Sequence, residues 1–336
     1  MGQSHAAAVA EPVDGKRAGR VAAAAARSAR VAAGARHPKK SHGLLRQAQR
    51  VSFAFIAAEK AQYPVRALCR ALAVSPSGFY AWQDRKPSPR TIADHQLVTH
   101  VRRAYVDSRH TYGRPRLHRA LRHQGVRIGE RRLRRVMHLA GVRGRIRRRF
   151  RVTTDSRGVA AVSNQLCRRF HVARPNAVWA GDVTACWTRE GWIYLAVLLD
   201  LASRRVVGWA VRATCDTALV LAALDLAIGT RRPAGGVIHH SDRGVQYASD
   251  AYQGLLARYG FIPSMSRVGD CWDNAPVESF FSRLKAEVET EAAWPSRAAA
   301  MQAIAAHLAF YNQQRLHSAL GYRSPMTYEA ELAASV

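Results

Sequence analysis

Three acids in the C-terminal half of the chain stand where carboxylates are costly. Asp182 lies inside the apolar run VWAGDVTACW, Asp242 closes the run GGVIHHSD, and Glu278 falls in the first turn of NAPVESFFSRLKAE. A carboxylate buried in or at the end of a central strand needs a paired partner or a metal ion. Three converging carboxylates would repel one another and demand a cation, and an all-oxygen donor set suits Mg2+ or Mn2+. Taken singly, each acid also has an ordinary structural reading. Lys285 follows Glu278 by seven residues, close to two helical turns, so acid and base share one helix face. Alone, that pair reads equally well as a solvated charge pattern.

The surrounding runs show what must position these acids. Near residue 178 the hydrophobic period changes from helical to strand-like. AVWAGDVTACW, WIYLAVLLDLA and RRVVGWAVR read as three strands joined by short turns, an antiparallel meander. CDTALVLAALDLAIGTR then predicts a helix, GGVIHHSD a short strand, SDAYQGLLARYG a helix and FIPSMS a strand. The helix that carries Glu278 follows, with Asn274 as its cap, Pro276 in its first turn and Phe280, Phe281 and Leu284 on its apolar face. The expected fold is a mixed α/β sheet with helices packed on it. Trp272, Asp273 and Asn274 form a shaped loop before that helix. His240, Ser241 and Arg243 flank Asp242, where they could orient water or phosphate, although His240 reads equally as a satisfied strand residue. Asp200 is expected to make a turn with Ser203.

Charge divides the chain differently. The net charge is +29 over 336 residues. Residues 1–177 hold 38 Lys and Arg against 8 Asp and Glu, whereas residues 178–336 hold 14 against 15. Residues 101–150 alone carry 17 arginines, no lysine and 2 acids. Fork-shaped guanidiniums in that density suit phosphate recognition, which favours a polyanion-binding part before a near-neutral part that does something else over the plainer reading of a solvated, solubilising surface. Within the basic part, VRALCRAL, a turn at AVS and a helix opened by Ser75-Pro76 read as a helix-turn-helix or a plain helical hairpin. DHQLVTHVRRAYVDS predicts a further helix, and YGRPRLHRALRHQGVRIGERRLRRVMHLAG two more. Leu117, Leu121, Leu133, Val136 and Met137 point inward there, and Arg131, Arg132, Arg134 and Arg135 cover the outside. GRIRRRFRVTT, with Arg147, Arg148 and Arg149, reads as a basic linker tracking phosphates.

Other classes are disfavoured. The five cysteines form no CxxC pair, so neither a zinc site nor a disulfide framework is indicated. The longest apolar run is interrupted by Asp200 and is too short to span a bilayer.

Together, the acids and their settings resemble the catalytic core of the DDE transposases and retroviral integrases, which has an RNase H-like fold. That family's pattern is Asp, Asp, then Glu with 35 residues between the last two; here residues 243–277 are that interval, and Lys285 meets the family's base seven residues after the Glu. More narrowly, VWAGDVT, GWIYLAVLLDLASRRVVGW, HHSDRGVQYAS, MSRVGDCWDNAPVESFFSRLKAE and YNQQRLHSALGYRSPMTYE resemble the second-frame transposases of bacterial IS-three family insertion sequences. The upstream PVRALCRALAVSPSGFYAW and YGRPRLHRAL resemble them too, and the likeness spans about residues 52–335.

This resemblance implies an RNase H-like integrase core with a mixed five-stranded sheet, preceded by an all-helical helix-turn-helix DNA-binding region. It implies Asp182, Asp242 and Glu278 as catalytic metal ligands for two Mg2+ ions, with Mn2+ able to substitute. The implied reaction is phosphodiester cleavage and strand transfer at insertion-sequence ends, with Lys285 on a DNA phosphate near the scissile bond. Its partners would be duplex DNA (terminal inverted repeats and target), further copies of the chain, and the first-frame protein or a fusion to it. The expected location is the bacterial cytoplasm, at the nucleoid, with no membrane partner. A DNA-binding regulator with a dead core is the competing class, opposed by the intact acids; a nuclease that cleaves without joining is another.

The expected organisation is a disordered Ala/Arg-rich segment over 1–50, a helix-turn-helix-like segment over 51–90, a helical DNA-binding domain over 91–150, a basic linker over 151–174 and the core with its C-terminal helical extension over 175–336. Residues 1–50 depart from the family. In a shifted frame they resemble the end of its first reading frame, as an untranslated, out-of-frame shadow would.

Overall fold

A computed structural model of the chain describes residues 38–145, 162–267, 271–288 and 293–334. The disorder expected of 1–37 and the linker arginines Arg147, Arg148 and Arg149 lie outside the described residues. The chain forms two compact units, residues 1–93 and 94–336.

In the first unit, α1 (Pro38–Glu59), α2 (Val65–Ala71) and α3 (Pro76–Gln83) close around Phe53, Ile56, Cys69, Leu72 and Phe79. Ser75 caps α3 by accepting from the Gly78 amide at 3.3 Å, with Pro76 in the first turn, as the Ser-Pro pair predicts. α1 begins at Pro38 and runs across residue 50. Phe53 and Ile56 anchor the end of α1, and a helix held at one end propagates backward at low cost.

The second unit takes in most of α4 (Pro89–Asp107) and then α5 (Arg114–His123) and α6 (Glu130–Leu139). Leu117, Leu121, Leu133, Val136 and Met137 lie in the core of these three helices, as their spacing predicts.

The sheet follows: β1 (Val178–Thr188), β2 (Gly191–Asp200) and β3 (Val206–Arg212), then α7 (Thr217–Arg231), β4 (Ile238–Ser241), the short helix α8 (Val245–Ala248), α9 (Asp250–Arg258) and β5 (Ile262–Met265). A 3-10 turn, Cys271–Asn274, leads into α10 (Ala275–Val288), and α11 (Arg297–Gln313) and α12 (Pro325–Ala334) complete the unit. The strand order is β3-β2-β1-β4-β5. β1, β2 and β3 form the expected antiparallel meander, whereas β4 and β5 join parallel to β1.

Two apolar layers sandwich this sheet, and the period of two along β1 decides which residue faces which. Trp179 belongs to the layer under α7 and α9, while Val178, Ala180 and Cys186 belong to the layer under α10 and α11. Asp182 has the parity of the second set, so it faces the α10 side. The three-helix unit leans on the far end of that side. Phe310 of α11 enters its core, and the Tyr112 hydroxyl accepts from the Leu316 amide at 2.7 Å.

On the α7 side the closest approach is at Gly208 of β3. A Cβ there would stand 2.1 Å from the Ala223 carbonyl oxygen and 2.7 Å from the Ala227 Cβ. Backbone cannot yield as a side-chain tip can. Gly208→Ala should therefore cost about 3 kcal/mol, the upper part of the overpacking range. A urea midpoint equal to the wild type's would show that α7 shifts freely over the sheet.

Candidate active site

The register of β1 against β4 brings two of the acids together. Gly181 pairs with Ser241 in the last parallel step, so Asp182 and Asp242 are the next residues on neighbouring strands. Adjacent strands lie about 4.8 Å apart. β4 ends there while β1 runs on to Thr188, leaving both carboxylates at the edge where the pairing stops. Gly244 turns the chain after β4 by donating its amide to Asp242 Oδ1 at 3.0 Å, and the Val183 amide reaches Asp182 Oδ1 at 2.7 Å.

Glu278 arrives on α10, and a side chain sets its position. Asn274 Nδ2 donates to the Gly181 carbonyl oxygen at 3.1 Å, which ties the start of α10 to the β1 residue before Asp182. Glu278 lies four residues beyond Asn274, on the same helical face. Val277, Phe280, Phe281 and Leu284 hold the helix against the sheet. The cap role expected for Asn274 is thus replaced by a bond across 93 residues of chain.

Burial pushes the Asp182 carboxyl well above the usual range; Asp242 and then Glu278 push it further, while the Val183 amide and Lys285 pull it back. Burial also raises Asp242 against the pull of the Gly244 amide, and raises Glu278 with help from Asp242. Lys285 is half-buried on α10, close enough to act on Asp182. Even so, among the described residues no three Asp, Glu, His or Cys groups stand close enough to hold a metal ion. The donor set nonetheless fits one. It is all oxygen and anionic, and its mutual repulsion is what a divalent cation relieves.

The flanking residues divide. His240 is satisfied by the hydroxyls of Ser264, 2.9 Å from Nδ1, and Ser266, 3.3 Å from Nε2, and burial lowers its pKa to about 4. It is the satisfied strand residue rather than a base. Arg243 Nε donates to the Ser266 carbonyl at 2.9 Å. Asp200 takes the Ala202 and Ser203 amides on Oδ1, the turn expected of it.

Sequence reasoning missed the role of Asp273. Its side chain is fully buried and binds Arg267, Arg168 and Asn164, including Arg168 Nε at 2.9 Å and the Arg267 amide at 3.0 Å. An acid directly before Asn274 was the signal available, but its partners lie far away in sequence.

The arginines of α6 are not equivalent. Arg131 and Arg134 are exposed. Arg132 and Arg135 instead clamp the buried carboxylate of Asp94, Arg132 Nε at 2.7 Å and Arg135 Nε at 2.8 Å, while keeping part of each guanidinium in solvent. No helix among the described residues is long and apolar enough to cross a membrane.

Comparison with known proteins gives this arrangement a setting. Residues 172–271 and 259–325 each match a family described as "Integrase core domain", and residues 92–150 match one described as "HTH-like domain". The chain is 38% identical over 263 residues to the "Insertion element IS600 uncharacterized 31 kDa protein" of Shigella sonnei, covering 78% of this chain and 97% of that one. It is 36% identical over 285 residues to the "Transposase InsF for insertion sequence IS3A" of Escherichia coli, covering 83% and 98%. Among solved structures, the HTLV-2 integrase catalytic core domain in complex with magnesium matches with a TM-score of 0.36 and 18% identity, over 46% of this chain and 97% of that one.

Proposed function

This chain belongs to the IS3-type insertion-sequence transposases, DDE-type polynucleotidyl transferases with an integrase core, and from that premise we propose that it cleaves the ends of its element and joins them to target DNA, using Asp182, Asp242 and Glu278 to hold two Mg2+ ions. The observation that supports this most is the β1–β4 register, which makes Asp182 and Asp242 neighbours, together with the Asn274 bond that ties the start of the Glu278 helix to β1.

Bound there, the ions would activate a water or 3′-hydroxyl and neutralise the leaving 3′-oxygen, and Mn2+ would substitute. The protein's own share is positioning and charge. The sheet edge holds two carboxylates in fixed register and α10 supplies the third. Lys285, which acts on Asp182, and Arg243, next to Asp242 in the chain, would supply positive charge suited to phosphates near the scissile bond. Arg131 and Arg134 offer exposed forks to the backbone of the element end, and Arg132 and Arg135 do so with the part of each guanidinium that Asp94 leaves free. Residues 91–150 form the end-binding part and residues 175–336 the catalytic part. An element has two ends, so more than one copy must assemble on DNA, with the first-frame protein or as a fusion to it.

The test is an assay with labelled element-end duplex, a supercoiled target plasmid and Mg2+ or Mn2+. Metal-dependent cleavage at the end's 3′ strand and labelled plasmid are expected. Cleavage with no joined product under either metal would make the protein a nuclease and sink the transfer step.

A further inference from the structure

Residues 51–90 lie outside the end-binding and catalytic parts, and their geometry favours a helix-turn-helix over a plain helical hairpin. α2 and α3 are joined by four residues, 72–75, the connection length of that motif. Ala73 there takes a left-handed conformation, φ 51°, where such turns often place glycine. Cys69, Leu72 and Phe79 are buried between the helices, and Leu68, Val74 and Trp82 pack against them. The Phe53 ring of α1 stands 6.0 Å from that of Phe79 and 5.8 Å from that of Trp82. α3 is thus held against the unit by its Phe79 and Trp82 side.

The other side of α3 is open to solvent. Ser77, Tyr80 and Ala81 are exposed there at helical spacing, Tyr80 by 50%. No residue of α3 is charged, and the exposed Asp84 marks its end. A helix face that merely meets water is normally charged or strongly polar. Here the charge sits on the neighbouring segments instead. Residues 51–90 hold six Lys and Arg against two acids. Arg66 and Arg70, four residues apart on α2, are exposed, as are Arg85 and Lys86 just after α3. Lys60, at the end of α1, reaches α3 by donating to Gln83 Oε1 at 3.3 Å. A neutral strip with basic flanks complements the major groove of a duplex, where base edges lie between two phosphate chains.

We propose that α2 and α3 form a second duplex-reading module, with Ser77, Tyr80 and Ala81 against base edges in the major groove and Arg66 and Arg70 on flanking phosphates. That the duplex is an element end rests on the functional reading above; the groove chemistry does not. The Ala81 methyl and the Tyr80 ring suit the methyl groups of thymine, and the Ser77 hydroxyl can both donate to and accept from a base edge. The module therefore favours a short block containing thymine, separate from the base pairs met by residues 91–150. One chain then recognises an element end at two places.

The experiment uses the full chain and two double variants, Ser77→Ala with Tyr80→Ala, and Arg66→Gln with Arg70→Gln. Each selects from a pool of randomised duplexes, and the bound DNA is sequenced. The wild type should enrich a thymine-containing block that the Ser77/Tyr80 variant no longer enriches. The Arg66/Arg70 variant should keep that block while its slope of log affinity against log salt falls by about two. Replacing the thymines of the block with uracil removes only their methyl groups and should weaken wild-type binding about fourfold for each methyl contacted. This last comparison needs no variant, so it decides the matter even where a variant folds poorly. Equal enrichment by wild type and Ser77/Tyr80 variant, or uracil bound as tightly as thymine, would overturn the module and leave the Tyr80 face to a protein partner. If the block and the uracil effect appear while the wild type neither cuts nor joins, the functional reading fails and this site stands. Cutting and joining without them would do the reverse.

Discussion

Asp182→Asn, Asp242→Asn and Glu278→Gln, made singly, should each lower end cleavage and joining by about 10³-fold or more, the scale of losing one key electrostatic group in an active site. Each amide keeps the size of the acid it replaces and removes only the charge. The three acids already repel one another: Asp182 feels Asp242 and Glu278, and Glu278 feels Asp242. Removing one charge takes away a repulsion that the fold tolerates. A raised carboxyl pKa contributes instability above its unfolded value, so at neutral pH the variants should melt no lower than the wild type without metal. Duplex binding should stay within about threefold, because phosphate neutralisation rests on the basic half. Loss of activity with unchanged folding and binding is the result that assigns the acids to chemistry. Near-wild-type cleavage by any one of the three would remove that residue from the site.

Much of this site is legible in the sequence because its signals are local. An acid within an alternating apolar strand, an acid closing a short apolar run and an acid in the first turn of a helix each stand out against their neighbours. The meander is legible for the same reason, since short turns join strands whose period is two. The pairing of β4 is not. β4 follows β3 and α7 in the chain but lies against β1, and only that choice sets Asp182 beside Asp242. The partners of polar side chains are equally hidden. Four arginines of α6 look alike in the sequence, yet two of them meet Asp94 across 38 and 41 residues. Asn274 looks like a cap and instead reaches Gly181. Such bonds depend on which surfaces the tertiary fold brings into contact, and nothing within a helical turn of either residue encodes that. Residues 38–50 show the same limit: their sequence, PKKSHGLLRQAQR, lacks a periodic face, and the helix there continues from Phe53 and Ile56 beyond it.

Asp273→Asn should destabilise the second unit by about 3 kcal/mol at neutral pH, near the lower end of what breaking a buried ion pair costs. The lower end applies because Arg168 and Arg267 keep 44% and 59% of their side chains exposed and can hydrate when released. The carboxylate itself has no such outlet, being fully buried. Bonds from Arg267, offset in part by burial, and then the bond from Arg168 hold its pKa well below the usual carboxylate range. For a depressed acid the stabilisation is present above its unfolded pKa, about 3.9, and fades as pH falls through the folded value. The gap in denaturant midpoint between wild type and variant should therefore be constant from pH 7 to about pH 5 and narrow below pH 4. A gap that stays constant down to pH 3 would show that the charge on Asp273 contributes nothing. The loss should also reach catalysis. Asp273 gathers the Arg267 backbone, Asn164 and Arg168 onto the turn that delivers Asn274 to Gly181, and Glu278 takes its place one helical turn later. Loosening that turn lets the third carboxylate drift from the other two, and displacements of about 1 Å at a reacting centre cost on the order of 10²-fold. Cleavage should fall by that factor in Asp273→Asn with duplex affinity unchanged, and raising the Mg2+ concentration should recover part of it, because a looser site needs more metal to draw its ligands together. Asp182→Asn, which on the proposed reading removes a metal ligand outright, should show no such recovery.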